Sequence, residues 1–218
     1  MAYQEQKRSI GRPKITEGAK PTNELILQAA TGLFLKNGFQ KVSIDDIAKE
    51  ASMTKATVYY YFESKAELFK ETMVSLMTRI RERIAMLLSS EKPLHDRLFD
   101  VAIAHLRATT SFDLEGFMRE SRTSLSTAQI QEMKTAEEKM YVSIEQAFVE
   151  AMERGEIRKI NAKFAAHSYI ALVKVGNERL PGGHSIFSNE EEAAQNIITI
   201  FWRGFFGEPF NNNTGEQR

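Results

Sequence analysis

The residues best suited to chemistry in this chain are Ser43, Lys55, Thr57, Tyr59, Tyr60, Tyr61 and Lys65. The chemistry they offer is recognition of a polyanion. A lysine ammonium reaches a phosphate or a guanine edge, and a threonine hydroxyl touches a base directly. A phenol hydrogen-bonds phosphate while its ring packs on sugar or a thymine methyl. Adjacent tyrosines on a solvated helix need a reason, because exposed rings lower solubility. The alternative is that Tyr59–Tyr61 are core aromatics of a small helical bundle.

These residues need short, tightly joined elements to present them. The segment from Ser43 to Phe62 reads as two short helices with a tight turn between them, and a further helix starts directly behind. That order predicts a helix-turn-helix DNA reader. A preceding helix starts near Pro21-Thr22 and carries Leu25, Ile26, Ala29, Ala30, Leu33 and Phe34 on one apolar face, with Gly38 as its stop. Ser43 lies three residues before Asp46, a capping-box spacing, and Ser64 stands in the same relation to Glu67. Thr54 is placed to cap the reading helix, about Lys55 to Phe62, with Val58 and Phe62 as its buried edge. The free N–H groups opening the second and fourth helices, at Ser43 and Lys65, are expected phosphate sites. The fourth helix carries an apolar stripe to about Ser89, and Pro93 breaks it.

The remainder keeps a helical period. Helices are expected at about 94–110, 114–125, 128–154 and 162–179, and from a capping box at Ser188 through Phe206. The fold class is all-α. Residues 1–20 form a basic arm, 21–69 a three-helix DNA-binding domain, 70–210 a larger helical domain and 211–218 a tail.

Charge and composition limit the classes of function. There are 29 basic and 29 acidic residues, but residues 1–70 hold 11 against 8 and the rest 18 against 21. The basic residues therefore lean toward the reading segment. Cysteine is absent, which excludes disulfides and thiolate metal sites. His95, His105, His167 and His184 lack metal-ligand spacing, and there is no nucleophile elbow or phosphate-binding glycine loop. An enzyme, a metal and a cofactor are not expected. No apolar run is long enough to span a bilayer and the start lacks a signal-peptide core, so the cytoplasm is the expected location.

The stretch from about Thr22 to Phe69 resembles the TetR family of bacterial transcriptional regulators. The resemblance rests on Phe34-Leu-Lys-Asn-Gly38-Phe39, on Ser43 followed by Ile47-Ala48, and on Lys55, Thr57, Val58, Tyr59, Tyr61, Phe62, Lys65, Leu68 and Phe69 in order. One departure is Ser52, at a turn position often held by glycine. The resemblance implies a homodimer that sets two reading helices into successive major grooves of a near-palindromic duplex DNA operator. Lys55, Thr57, Tyr59 and Tyr60 would then read bases and backbone, and Ser43, Tyr61 and Lys65 would hold phosphates. Gly11-Arg12-Pro13 looks like an AT-hook core, which would place Arg12 in the adjacent minor groove; a merely solvated tail is the alternative.

The resemblance also assigns two roles to the later helices. Ile170, Val173, Ile197, Ile200, Phe201 and Phe205 are the expected dimer face, or else they close the chain's own core. Phe99, His105, Phe117, Tyr141 and Tyr169 are the expected contacts of a small apolar or aromatic effector. A repressor released by that effector is the implied function. The alternative is a DNA-bound scaffold that recruits a protein partner.

Overall fold

A computed structural model describes residues 20–109, 122–178, 180 and 184–207. Arg12, Phe117, most of the helix expected at 114–125 and both chain ends lie outside the described residues. Those described form eight α-helices and no β-strand, as the apolar periodicity requires.

Helix α1 (Thr22–Asn37) buries Ile26, Ala30 and Phe34, one residue per turn on a single face. Leu25, expected on that face, is exposed. Gly38 ends the helix at φ 81° and ψ 160°, a conformation that only glycine adopts readily, and its N–H donates to the Phe34 carbonyl. Helix α2 (Ile44–Glu50) has the full capping box. The Ser43 hydroxyl accepts the Asp46 N–H at 3.1 Å, and the Asp46 carboxylate accepts the Ser43 N–H at 2.8 Å.

The turn into α3 (Lys55–Tyr61) passes through Ser52 at φ +55°, the left-handed region. A side chain there costs about 1 kcal/mol relative to glycine. Ser52→Gly is therefore expected to raise stability by up to about 1 kcal/mol in urea denaturation, offset in part by unfolded-chain entropy. A loss of stability would contradict the strain. Thr54 caps α3 by accepting the Thr57 N–H at 3.1 Å.

Helix α4 (Lys65–Leu88) is 24 residues long, about 36 Å, and links two hydrophobic cores. The first core joins α1, α2 and α3 to the start of α4. Its centre is an aromatic cluster in which Phe69 meets Phe34 at 5.2 Å and Phe39 at 4.9 Å between ring centroids. The second core joins the end of α4 to α5 (Leu94–Thr109), α6 (Thr127–Glu153), α7 (Ala162–Val175) and α8 (Glu190–Phe206). Helix α8 opens one residue later than expected. Asn189, not Ser188, is the cap and accepts the Glu192 N–H at 2.8 Å, while the Ser188 N–H donates to the Glu192 carboxylate.

Helices α4 and α6 run side by side in the same sense. Gln129 donates to Glu67 at 3.0 Å, and one turn on Lys70 meets Glu132 at 2.9 Å. The Lys70 side chain is almost wholly buried, and its ammonium also holds Glu67 at 2.8 Å and Glu71 at 2.5 Å. Burial opposes its charge, but the three carboxylates outweigh burial and hold its pKa above the usual lysine value. Glu67 is thereby drawn away from the reciprocal capping bond expected with Ser64; Ser64 still accepts the Glu67 N–H at 3.0 Å.

Candidate nucleic-acid interface

Helix α3 is seven residues long, too short to be stable by itself. It stands because Val58 is fully buried and Phe62 nearly so, both in the first core. This leaves the opposite face outward: Tyr59 is 46%, Tyr60 82% and Tyr61 42% exposed. The tyrosines are thus not core aromatics. The Tyr60 ring leans edge-on against Tyr61 at 5.1 Å, so the two present one continuous surface.

The polar residues expected at this surface are all present, but several are already engaged. The Lys55 ammonium lies 2.7 Å from the Asp45 carboxylate of α2. Hydrogen bonding to Asp45, and then its charge, raises the Lys55 pKa. The Thr57 hydroxyl is 2.8 Å from that of Thr54. Lys65 donates to the Gln40 carbonyl at 3.2 Å and sits 4.4 Å over the Phe39 ring, and partial burial lowers its pKa. It pins the start of α4 to the loop between α1 and α2, with its cation still at the surface edge.

Ser43 differs most from the expectation. Its hydroxyl is 2.6 Å from the Asp46 carboxylate and its N–H is bonded to the same group. The first turn of α2 also carries Asp45. Two carboxylates occupy the place where a phosphate was expected, so Ser43 serves the cap first. Asp45 and Gln40 are the supporting residues missed from sequence. The Lys55–Asp45 pair spans ten residues across a turn, and no periodic pattern announces it.

Asp45→Asn is expected to free Lys55 and remove a negative charge from the surface. Affinity for any duplex should rise roughly two- to tenfold at low salt, with a steeper dependence on salt. Fluorescence anisotropy with a random duplex measures this; weaker binding would show that Asp45 orients Lys55 productively.

Four of the five expected effector contacts fall within the described residues. Tyr169 is fully buried and its hydroxyl donates to the Leu98 carbonyl at 2.6 Å, so it is a satisfied core residue; burial pushes its pKa well up. Phe99 packs half-buried against the second core. Tyr141 stacks on His167 at 4.4 Å. His105 is half-buried, and burial followed by nearby Lys174 lowers its pKa. None of these four lines the cavity of about 570 Å³ that lies between α4 and α6. The expected dimer face needs a similar correction. Val173, Ile197 and Phe201 are buried in this chain's own core, because α7 and α8 pack on α5 and α6. Ile170 and Phe205 are half-buried, and Ile200 is 61% exposed.

An all-helical chain with a capped, exposed reading helix on a compact three-helix core is a helix-turn-helix DNA-binding protein. Residues 26–72 match the model of the bacterial regulatory proteins of the tetR family. It is similar to the uncharacterized HTH-type transcriptional regulator YvdT of Bacillus subtilis (strain 168), 28% identical over 192 residues, 88% of this chain and 97% of that one. The probable acrEF/envCD operon repressor of Escherichia coli (strain K12) is 32% identical over 69 residues, 30% of this chain and 31% of that one. Among solved structures, the reduced form of NemR from E. coli has the same fold, with a TM-score of 0.72 at 20% identity over 87% of this chain and 98% of that one. The family consists of regulators, not enzymes. Among the described residues, no helix is long and apolar enough to cross a membrane.

Proposed function

We propose that the chain is a homodimeric repressor that sets two copies of α3 into successive major grooves of a near-palindromic operator. A small molecule bound in its helical region releases it. The observation that carries this reading is the outward face of α3. Three exposed tyrosines and Lys55 stand on a helix whose other face is held by Val58 and Phe62. In the reading, residues 21–69 are the DNA-binding domain and the helices beyond residue 70 form the effector and dimer part. Lys55, Thr57, Tyr59 and Tyr60 contact bases and backbone, and Tyr61 and Lys65 contact phosphate. Ile200 is the apolar residue of α8 with most surface left for a second copy. The site of action is the cytoplasm, where the operator is. The similarity to a probable operon repressor favours repression over activation.

Selection of bound sequences from random duplex DNA tests this. The expected product is an inverted repeat with half-site centres about one helical turn apart, or a multiple of it. Placed across a promoter, it should bring transcription in vitro under the protein's control as a repressor. Absence of an enriched sequence, or enrichment of a single unpaired half-site, would contradict the proposal.

A further inference from the structure

The cavity between α4 and α6 takes no part in reading DNA. Its volume of about 570 Å³ is in the range of small-ligand sites. Val74 of α4 and Ala128 and Ala136 of α6 supply apolar lining with short side chains, which leave room for a flat ring. Arg81 and Lys139 line the same cavity. Among the described residues neither has a carboxylate or hydrogen-bonding partner. The acid in the lining, Glu132, already faces the Lys70 ammonium at 2.9 Å. The groove therefore offers two unanswered positive charges beside a small apolar floor.

We infer that this groove binds a small organic anion with a planar apolar body, of the aryl carboxylate class. Its carboxylate pairs with Arg81 and Lys139, and its ring lies on Val74, Ala128 and Ala136. Arginine and lysine recognise a carboxylate through charge-assisted hydrogen bonds, which strengthen at a partly desolvated site. An uncharged ring alone has too little apolar lining for tight binding, and a cation is repelled.

The groove is also well placed to act on the reader. Helix α4 starts at Lys65 beside α3 and sends Phe69 into the first core. Helix α6 grips the same end of α4 through Gln129–Glu67 and Glu132–Lys70, and Met133 of α6 is buried in the first core. A ligand wedged between the two helices biases their separation, and with it the angle at which α4 holds α3. This coupling rests on the proposed effector release; the binding site does not.

The probe is 2-naphthoate, with its neutral isostere 2-naphthamide, titrated into the full chain by calorimetry. Saturable naphthoate binding is expected, about tenfold or more weaker for the amide and for the Arg81→Gln/Lys139→Gln variant, the loss of one good ion pair or more. Ala136→Trp fills the floor and should weaken binding without touching either charge. Circular dichroism verifies that each variant is folded. No saturable binding, or equal affinity in the wild type and both folded variants, overturns the site. Operator affinity is then measured with and without naphthoate. A fall in the wild type that is absent in the charge variant supports the coupling, and naphthoate binding without that fall overturns it. Release by another compound, equal in wild type and charge variant, removes this groove as the effector site while the repressor reading stands.

Discussion

Tyr59→Ala/Tyr60→Ala is expected to lower operator affinity by at least about a hundredfold at fixed salt, with the melting temperature unchanged. Tyr60 is 82% and Tyr59 46% exposed, and the Tyr60 ring leans on the neighbouring Tyr61 edge. Removing them takes nothing from either core, because α3 is held from the other side by Val58 and Phe62. A contact that reads a base or seats a phosphate is worth roughly a factor of ten or more. The homodimer loses each contact twice. Anisotropy titration of a labelled operator measures the effect, beside a thermal melt of the same preparation. Affinity within about twofold of wild type would remove the tyrosines from the interface.

Phe69→Ala is expected to destabilise the DNA-binding core by about 3–5 kcal/mol, the range for emptying a buried aromatic site. Phe69 is fully buried and joins α4 to α1 and the following loop through Phe34 and Phe39. Helices α2 and α3 have seven residues each and cannot persist without that core. DNA binding is then lost through unfolding, and not through a missing contact. Urea denaturation followed by circular dichroism separates the two: the N-terminal helices should melt early while the second core, which contains no part of this cluster, melts close to wild type. A destabilisation below about 1 kcal/mol would mean that the aromatic cluster closes around the gap.

The legible parts of the fold were those governed by local chemistry. Capping signals at Ser43, Thr54 and Ser64 fixed three helix starts, since a side-chain oxygen must meet an N–H within three residues. The spacing of Val58 and Phe62 separated the buried face of α3 from its reading face. Long-range pairing was not legible. Lys55 meeting Asp45, Lys65 resting on Phe39, and Lys70 gathering a carboxylate from α6 depend on helix placement in space. The stripes on α7 and α8 failed for a related reason. Burial in one's own core and burial against a second copy produce the same period, so Val173, Ile197 and Phe201 looked like a dimer face while lying inside the chain. Polar-tipped aromatics misled in the same way: Tyr169 points its hydroxyl at a backbone carbonyl of α5, a partner no pattern on α7 reveals.

The central claim is that α3 lies in the major groove, twice per operator. The chain has no cysteine, so Ala56→Cys, at an exposed position of α3, provides a single attachment point for an iron chelate that cleaves nearby DNA. On the selected operator, the account predicts cuts in two clusters centred on the half-sites, about one helical turn apart or a multiple of it. Cleavage spread evenly along the duplex, or confined to one cluster per bound dimer, would contradict it.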